Sequence, residues 1–236
     1  MSLGLQTNRG VFVMLLLEIN NIQKFFADRL LLKIKNFKVY SGDRIGLVGA
    51  NGSGKTTLLN VISGHAEPDA GNIRRLGGIS YIKQVMGESL LANEDVDGYF
   101  LSQFKVSEKI SQKSVSGGED MRIRIAQALS ESPRLLLVDE PTSNLDEEGL
   151  FVFEKFFEKI DTFILVSHDR LILDKFCNKI ITLKNGDIVS YNCGYQEYLK
   201  IVQDELENER EDYEKYVAEK SRLTKAHQKM QAKAKK

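Results

Sequence analysis

One stretch, Gly49-Ala50-Asn51-Gly52-Ser53-Gly54-Lys55-Thr56, limits the possible folds of this chain more than any other feature. It matches G-x-x-x-x-G-K-[ST] and follows the apolar run Ile45-Gly46-Leu47-Val48. A helical stretch from about Thr56 to Ser63 comes next, so strand, turn and helix stand in the order this motif needs. Glycines let successive backbone N–H groups turn inward around an anion, and the helix N-terminus adds positive potential. Gly49, Asn51, Gly52, Ser53 and Gly54 are the expected cradle. Lys55 is placed to reach the β- and γ-phosphates of a nucleotide, the Thr56 hydroxyl to bind Mg²⁺, and Thr57 to follow in the first helical turn.

Two further runs, Leu135-Leu136-Leu137-Val138 and Phe163-Ile164-Leu165-Val166, are continuous rather than alternating. Strands buried on both faces read this way. Helical stretches at about Glu119 to Ser130 and Glu147 to Ile160 separate the runs, so the chain is expected to be α/β with a parallel sheet. Met14 to about Asp43 instead mixes apolar and polar positions at short spacing, which predicts several short antiparallel strands. Asp139 and Glu140 follow one buried run. An acid at a central strand tip lies beside the phosphate loop in such sheets. Asp139 is therefore expected in the Mg²⁺ shell, and Glu140 as the base that orients and deprotonates water. His168, just past another strand tip in Val166-Ser167-His168-Asp169-Arg170, can hydrogen-bond a γ-phosphate.

Composition narrows the setting. The 33 basic and 33 acidic residues cancel, so net charge predicts no nucleic-acid partner. The longest apolar run, Val11 to Leu17, falls far short of the roughly 20 residues a bilayer helix needs. Cys177 and Cys193 are the only cysteines. They have no metal-ligand spacing, and a reducing, cytoplasmic setting suits them.

The two ends differ from the middle. Residues 1–13 read as a leader or cloning remnant ahead of Met14, the alternative being an extension of the first strand. After Gly194 there is neither glycine nor proline. Leu199, Val202, Leu206, Tyr213, Tyr216, Leu223 and Met230 trace an imperfect heptad seam, which predicts one long helix from about Tyr195. Asp204 to Glu214 holds seven acids with only Arg210, and Lys215 to Lys236 holds eight bases with only Glu219. The basic end suits RNA phosphate and a solubilised coiled-coil surface equally well.

Together these residues resemble an ATP-binding cassette ATPase over about Met14 to Leu199. Ser116-Gly117-Gly118-Glu119 is similar to the family's signature motif, Gln84 to its Q-loop, and Pro141 to Asp146 to the segment entering the D-loop. Phe26 lies where the family places an aromatic that stacks on adenine. The resemblance implies ATP and Mg²⁺ as ligands, with Gln84 beside the metal and the attacking water. It also implies a second cassette, paired head to tail, whose Ser116-Gly117-Gly118 completes each ATP site. The implied fold is an ABC-type P-loop core, an N-terminal antiparallel β-subdomain, a small helical subdomain and a long C-terminal linker helix. The cassette would span 14–194 and the first linker helix 195–236.

Within the family the chain resembles the ABC-F branch. Only 31 residues separate Gln84 from Ser116, a short interval for a subdomain that docks a membrane partner. That branch carries two cassettes on one chain, has no membrane domain and binds ribosomes, with rRNA and tRNA as contacts. The likeness is nearest the N-terminal cassette of the Msr- and Vga-type antibiotic-resistance members. It implies ATP hydrolysis on the ribosome and resistance by ribosomal protection. The alternative is the ATPase subunit of a membrane transporter. Val115, where the signature usually has leucine, departs from the pattern.

Overall fold

The computed structural model describes residues 4–6, 12–83, 117–143 and 145–234. The short Gln84–Ser116 interval, with the expected helical subdomain, lies outside the described residues, as does Asn144. The chain divides into two compact units, one ending at Tyr195 and the other beginning at Gln196.

The first unit holds two sheets. In the antiparallel one, β1 (Gly4–Gln6) pairs with the start of β2 (Phe12–Phe26). β2 then pairs with β3 (Arg29–Tyr40) and with β5 (Ala70–Arg75). Where several short strands were expected between Met14 and Asp43, two long ones run. Register shifts between Leu15 and Leu17 and between Lys24 and Phe25 absorb the breaks in alternation without ending the strand. β2 starts at Phe12, two residues before Met14.

The second sheet is ordered β10-β9-β4-β8-β7-β6. It contains β4 (Arg44–Val48), β6 (Ile79–Ile82), β7 (Leu135–Asp139), β8 (Phe163–Val166) and β9 (Lys179–Lys184), all parallel. β10 (Asp187–Tyr191) closes the edge as an antiparallel hairpin partner of β9. The helices of this unit are α1 (Lys55–Ser63), α2 (Gly117–Ser130), α3 (Glu147–Phe157) and α4 (Arg170–Phe176). The expected parallel α/β core with an antiparallel subdomain is therefore present. β6, β9, β10 and α4 carry no sequence signal strong enough to announce them.

Both faces of the parallel sheet are covered, which explains its continuous apolar runs. Leu135, Leu137, Ile164 and Val166 pack with α1 and with Leu17, Ile19, Ile34 and Val39 of the antiparallel sheet. The alternate positions face a second layer, where Phe157 stacks on Phe153, meets Phe163 at a tilt and Phe176 edge-on, with ring centroids 4.4–5.3 Å apart. Burial also raises the Cys177 thiol to about 12, so it stays protonated and inert.

α1 is short and carries its own fastening. Helix ends leave backbone carbonyls without intrahelical partners. Here Gly64, at φ +85°, turns the chain out of the helix. Arg75 of β5 donates from Nε to Ile62 O and from Nη2 to Val61 O, each at 2.7 Å.

The second unit belongs to α5 (Tyr195–Ala234), one continuous helix as expected, about 60 Å long at 1.5 Å per residue. Lys215 pairs with Glu211 and Asp212 within it, and Arg210 with Glu214. Leu206, Tyr213, Tyr216 and Leu223, all on the heptad seam, are exposed.

Arg75→Ala should lower stability by about 1 kcal/mol, the net worth of charge-assisted bonds at a solvated site. The check is a urea titration: a lower midpoint at unchanged slope is expected, and an unchanged midpoint would show that the guanidinium contributes nothing.

Candidate functional site

β4 ends at Val48, between β9 and β8, and the chain leaves the sheet into the glycine-rich loop. In open α/β sheets ligands sit at the carboxyl ends of strands beside such a switch in strand order. The loop needs left-handed backbone at Gly52, φ +76°, and Gly54, φ +100°. At Gly54 a Cβ would also stand 3.2 Å from Leu31 Cγ and Leu32 Cδ2 of β3, so the antiparallel sheet presses on the loop. Lys55 Nζ donates back to Gly49 O at 2.9 Å and Ala50 O at 3.1 Å, closing the loop around its own ammonium. The first helical acceptor is Gly54 O, taken by Leu58 N–H. The N–H groups of Lys55, Thr56 and Thr57 thus have no intrahelical acceptor and form a site for an anion.

The strand tips supply the acids. Asp139, buried at the end of β7, accepts the Thr56 hydroxyl at 2.7 Å and the Tyr81 hydroxyl at 3.3 Å, both on Oδ2. Glu140 sits in the left-handed region at φ +50°. Its N–H continues the ladder to Val166 O at 2.9 Å, while its own carbonyl accepts the Ser143 hydroxyl. Such strain in a non-glycine residue marks a position that the surroundings over-determine. His168 donates its backbone N–H to Glu140 Oε2 at 3.3 Å, and its Nε2 stands 3.4 Å from Oε1. The turn that holds it is fixed on either side. The Asp169 N–H reaches Ser167 Oγ, and the Asp169 carboxylate caps α4 by accepting from Leu171 and Ile172.

Burial pushes the Glu140 carboxyl up. The charge and backbone N–H of His168 and the ammonium of Lys55 pull it down, and Asp139 pushes the same way as burial. The net direction is upward, the setting of a carboxylate that accepts a proton more readily than an exposed one. Burial first, then the Asp139 charge and hydrogen bond, raise the Tyr81 phenol, which stays an O–H donor.

A cavity of about 660 Å³ joins these groups. Phe26, Asn51, Gly52, Gly54, Lys55, Thr56, Thr57, Asp139, Glu140 and His168, all expected from the sequence, line it. Gly49 and Ser53 belong to the loop but not to the lining. Gly117 and Gly118 are the first residues of α2. Gln84 and Ser116 lie outside the described residues. Phe26 is 74% exposed at the tip of the β2–β3 hairpin, where register pairs it with Arg29.

The cavity also contains Arg29, Leu31, Ser143 and Val166, which sequence reasoning did not single out. Only Arg29 had a readable signal, two residues of turn beyond Phe26. Tyr81 carries no signal of its own in the sequence.

The residues present fit a magnesium nucleotide. Ser53 Oγ and Glu140 Oε1 are buried without a hydrogen-bond partner, and buried polar atoms are seldom left so. Among the described residues no group of three carboxylate, histidine or cysteine side chains is placed to hold a metal ion by itself. Thr56 and Asp139, joined by a hydrogen bond, supply hard oxygens, a sparse set that suits Mg²⁺, which keeps waters and substrate phosphates as its other ligands. Among the described residues no helix is long and apolar enough to cross a membrane.

Comparison with known proteins agrees with this geometry. The ABC transporter family model matches residues 32–143. Ribosome protection protein VmlR of Bacillus subtilis is 32% identical over 207 residues, which cover 84% of this chain and 36% of that protein. Erythromycin resistance ATP-binding protein MsrA of Staphylococcus epidermidis is 31% identical, covering 82% and 40%. Energy-dependent translational throttle protein EttA of Escherichia coli is 31% identical, covering 84% and 41%. The chain thus spans well under half the length of these relatives. Among solved structures, a nucleotide-free ATP-binding cassette from an ABC transporter superposes with a TM-score of 0.65 at 22% identity, covering 80% of this chain and 96% of that one. A dimeric cassette bound to ADP and Pi gives 0.61 at 22% identity, covering 75% and 98%. The chain belongs to the ATP-binding cassette family of ATPases, with ABC-F proteins as its sequence relatives.

Proposed function

We propose that this cassette binds and hydrolyses MgATP as one half of a paired-cassette protein that works on the ribosome, in antibiotic resistance by ribosomal protection. The observation that carries the hydrolytic part is Glu140. A half-buried carboxylate with a raised proton affinity and one oxygen without a hydrogen bond lines the cavity that Lys55, Thr56 and Asp139 share. The ribosomal part is supported by what the relatives are named for, ribosome protection, erythromycin resistance and translational throttling.

In this reading Phe26 stacks on adenine, and the loop N–H groups with Lys55 hold the phosphates. Thr56 and Asp139 hold the Mg²⁺, together with Gln84. The metal supplies charge neutralisation at the phosphate oxygens. Glu140 orients a water and takes its proton, His168 steadies the Glu140 carboxylate through its backbone N–H and contacts the γ-phosphate, and the strand tips keep these groups in register. The signature residues Ser116, Gly117 and Gly118 act on the nucleotide of a second cassette, presented by the N-terminus of α2. The seam on α5 packs against a returning linker helix, and the protein works in the cytoplasm.

Lys55→Ala should abolish tight ATP binding, because the loop loses its internal cation; unchanged affinity by calorimetric titration would overturn the phosphate-site reading. Glu140→Gln should keep ATP and lose turnover by on the order of 10²–10⁴-fold, the usual range for a general base. Turnover at the parent rate would remove Glu140 from the role of base. The base works deprotonated. Because its carboxyl is raised, activity should fall on acidification at a pH above the ordinary carboxylate range, about 4.3 for glutamate. A pH–rate profile flat to that value would contradict it. For the ribosomal part, Glu140→Gln protein with ATP should pellet with ribosomes and be released by high salt. Pelleting with membranes alone would favour a transporter subunit.

A further inference from the structure

We propose that Tyr81 is a positioning residue for the Mg²⁺ site, its hydroxyl holding the Asp139 carboxylate in the plane that faces the metal. This rests on Asp139 serving that site, as read above. The placement follows from sheet register. β6 and β7 are parallel, with Tyr81 opposite Leu137 and Ile82 opposite Val138. Side chains two apart on a strand share a face, so Tyr81 lies diagonally beside Asp139 on the cavity side, within reach of a long side chain. The phenol spans that gap and donates to Oδ2 at 3.3 Å.

Asp139 thereby receives two hydroxyls on one oxygen, from Thr56 on α1 and from Tyr81 on β6. A single donor leaves a carboxylate free to swing about its Cβ–Cγ bond; two donors from different elements define its plane. Their roles differ. Thr56 lines the cavity and is itself a candidate metal ligand, whereas Tyr81 does not line it. Removing the Thr56 hydroxyl would change ligation and orientation together. Removing the Tyr81 hydroxyl would change orientation alone.

The tyrosine is itself braced. Its ring meets His65 edge-on, with centroids 5.8 Å apart and planes at 72°. His65 Nδ1 is 2.7 Å from Ser63 Oγ at the end of α1, and Lys83 Nζ stands 5.8 Å from the Tyr81 ring centroid. A residue needed only to fill the sheet edge would require the ring and not the hydroxyl. Hydrogen bonds to metal-ligating groups typically tune metal affinity by 10–100-fold.

The test is Tyr81→Phe, which keeps the ring and its contact with His65. Mn²⁺ serves as the probe, titrated into the ADP-bound chain and followed by its paramagnetic resonance signal. Half-saturation by Mn²⁺ should rise about tenfold. ADP affinity in EDTA and the melting temperature of the metal-free chain should stay within error of the parent. Equal Mn²⁺ affinity in parent and variant would overturn the proposal, as would a loss of ADP affinity of the same size with and without metal. Asp139→Asn, measured alongside, separates the two layers. If it too leaves Mn²⁺ affinity unchanged, the assignment of Asp139 to the metal fails; if only Tyr81→Phe does, the failure belongs to Tyr81.

Discussion

The burial of α1 between two sheets is the constraint on which the site depends. Leu58, Leu59, Val61 and Ile62 are inaccessible to solvent, packed among residues of both the antiparallel and the parallel sheet. Each is worth on the order of 2 kcal/mol on burial, far more than a nine-residue helix gains from its own hydrogen bonds. That helix cannot shift without opening both interfaces. Its N-terminus, and with it the loop from Gly49 to Gly54, is therefore held at a set distance from the tips of β7 and β8. Arg75 fastens the other end of the helix from the antiparallel sheet.

From that anchored helix the polar part of the site is built with few bonds. Thr56 ties the loop to Asp139 across the sheet, and Lys55 ties the loop to itself. Glu140 and His168 are bound less completely: one carboxylate oxygen has no hydrogen-bond partner and the imidazole is 64% exposed. The Lys55 and Thr56 side chains are satisfied within the protein, while Ser53 Oγ and Glu140 Oε1 are left with free hydrogen-bonding capacity. A preorganised cradle with an unsatisfied catalytic edge is what electrostatic stabilisation of phosphoryl transfer requires.

Much of this was legible in the chain. Gly54 reads directly, since only a residue without Cβ tolerates both the backbone turn and the press of Leu31 and Leu32. The runs Leu135–Val138 and Phe163–Val166 announce strands because both of their faces are covered. Less visible were long strands whose alternation is broken by bulges, as in β2, because a shift of one residue resets the pattern that identifies a strand. β6, β9 and β10 are short, and α4 is held by the Asp169 cap and by burial of Ile172, Leu173 and Phe176 rather than by a long period.

What the sequence alone determined was the chemistry at each point: a loop that can wrap an anion, acids after buried strands, and an uninterrupted helix with segregated charge. Those are local properties, set by backbone sterics and by spacing along one element. What only the tertiary structure decided was which groups meet. That Tyr81 shares an oxygen with Thr56, and that Glu140 is buried enough to raise its carboxyl, depend on the order of strands in the sheet. Strand order is set by long-range packing, and no window along the chain records it.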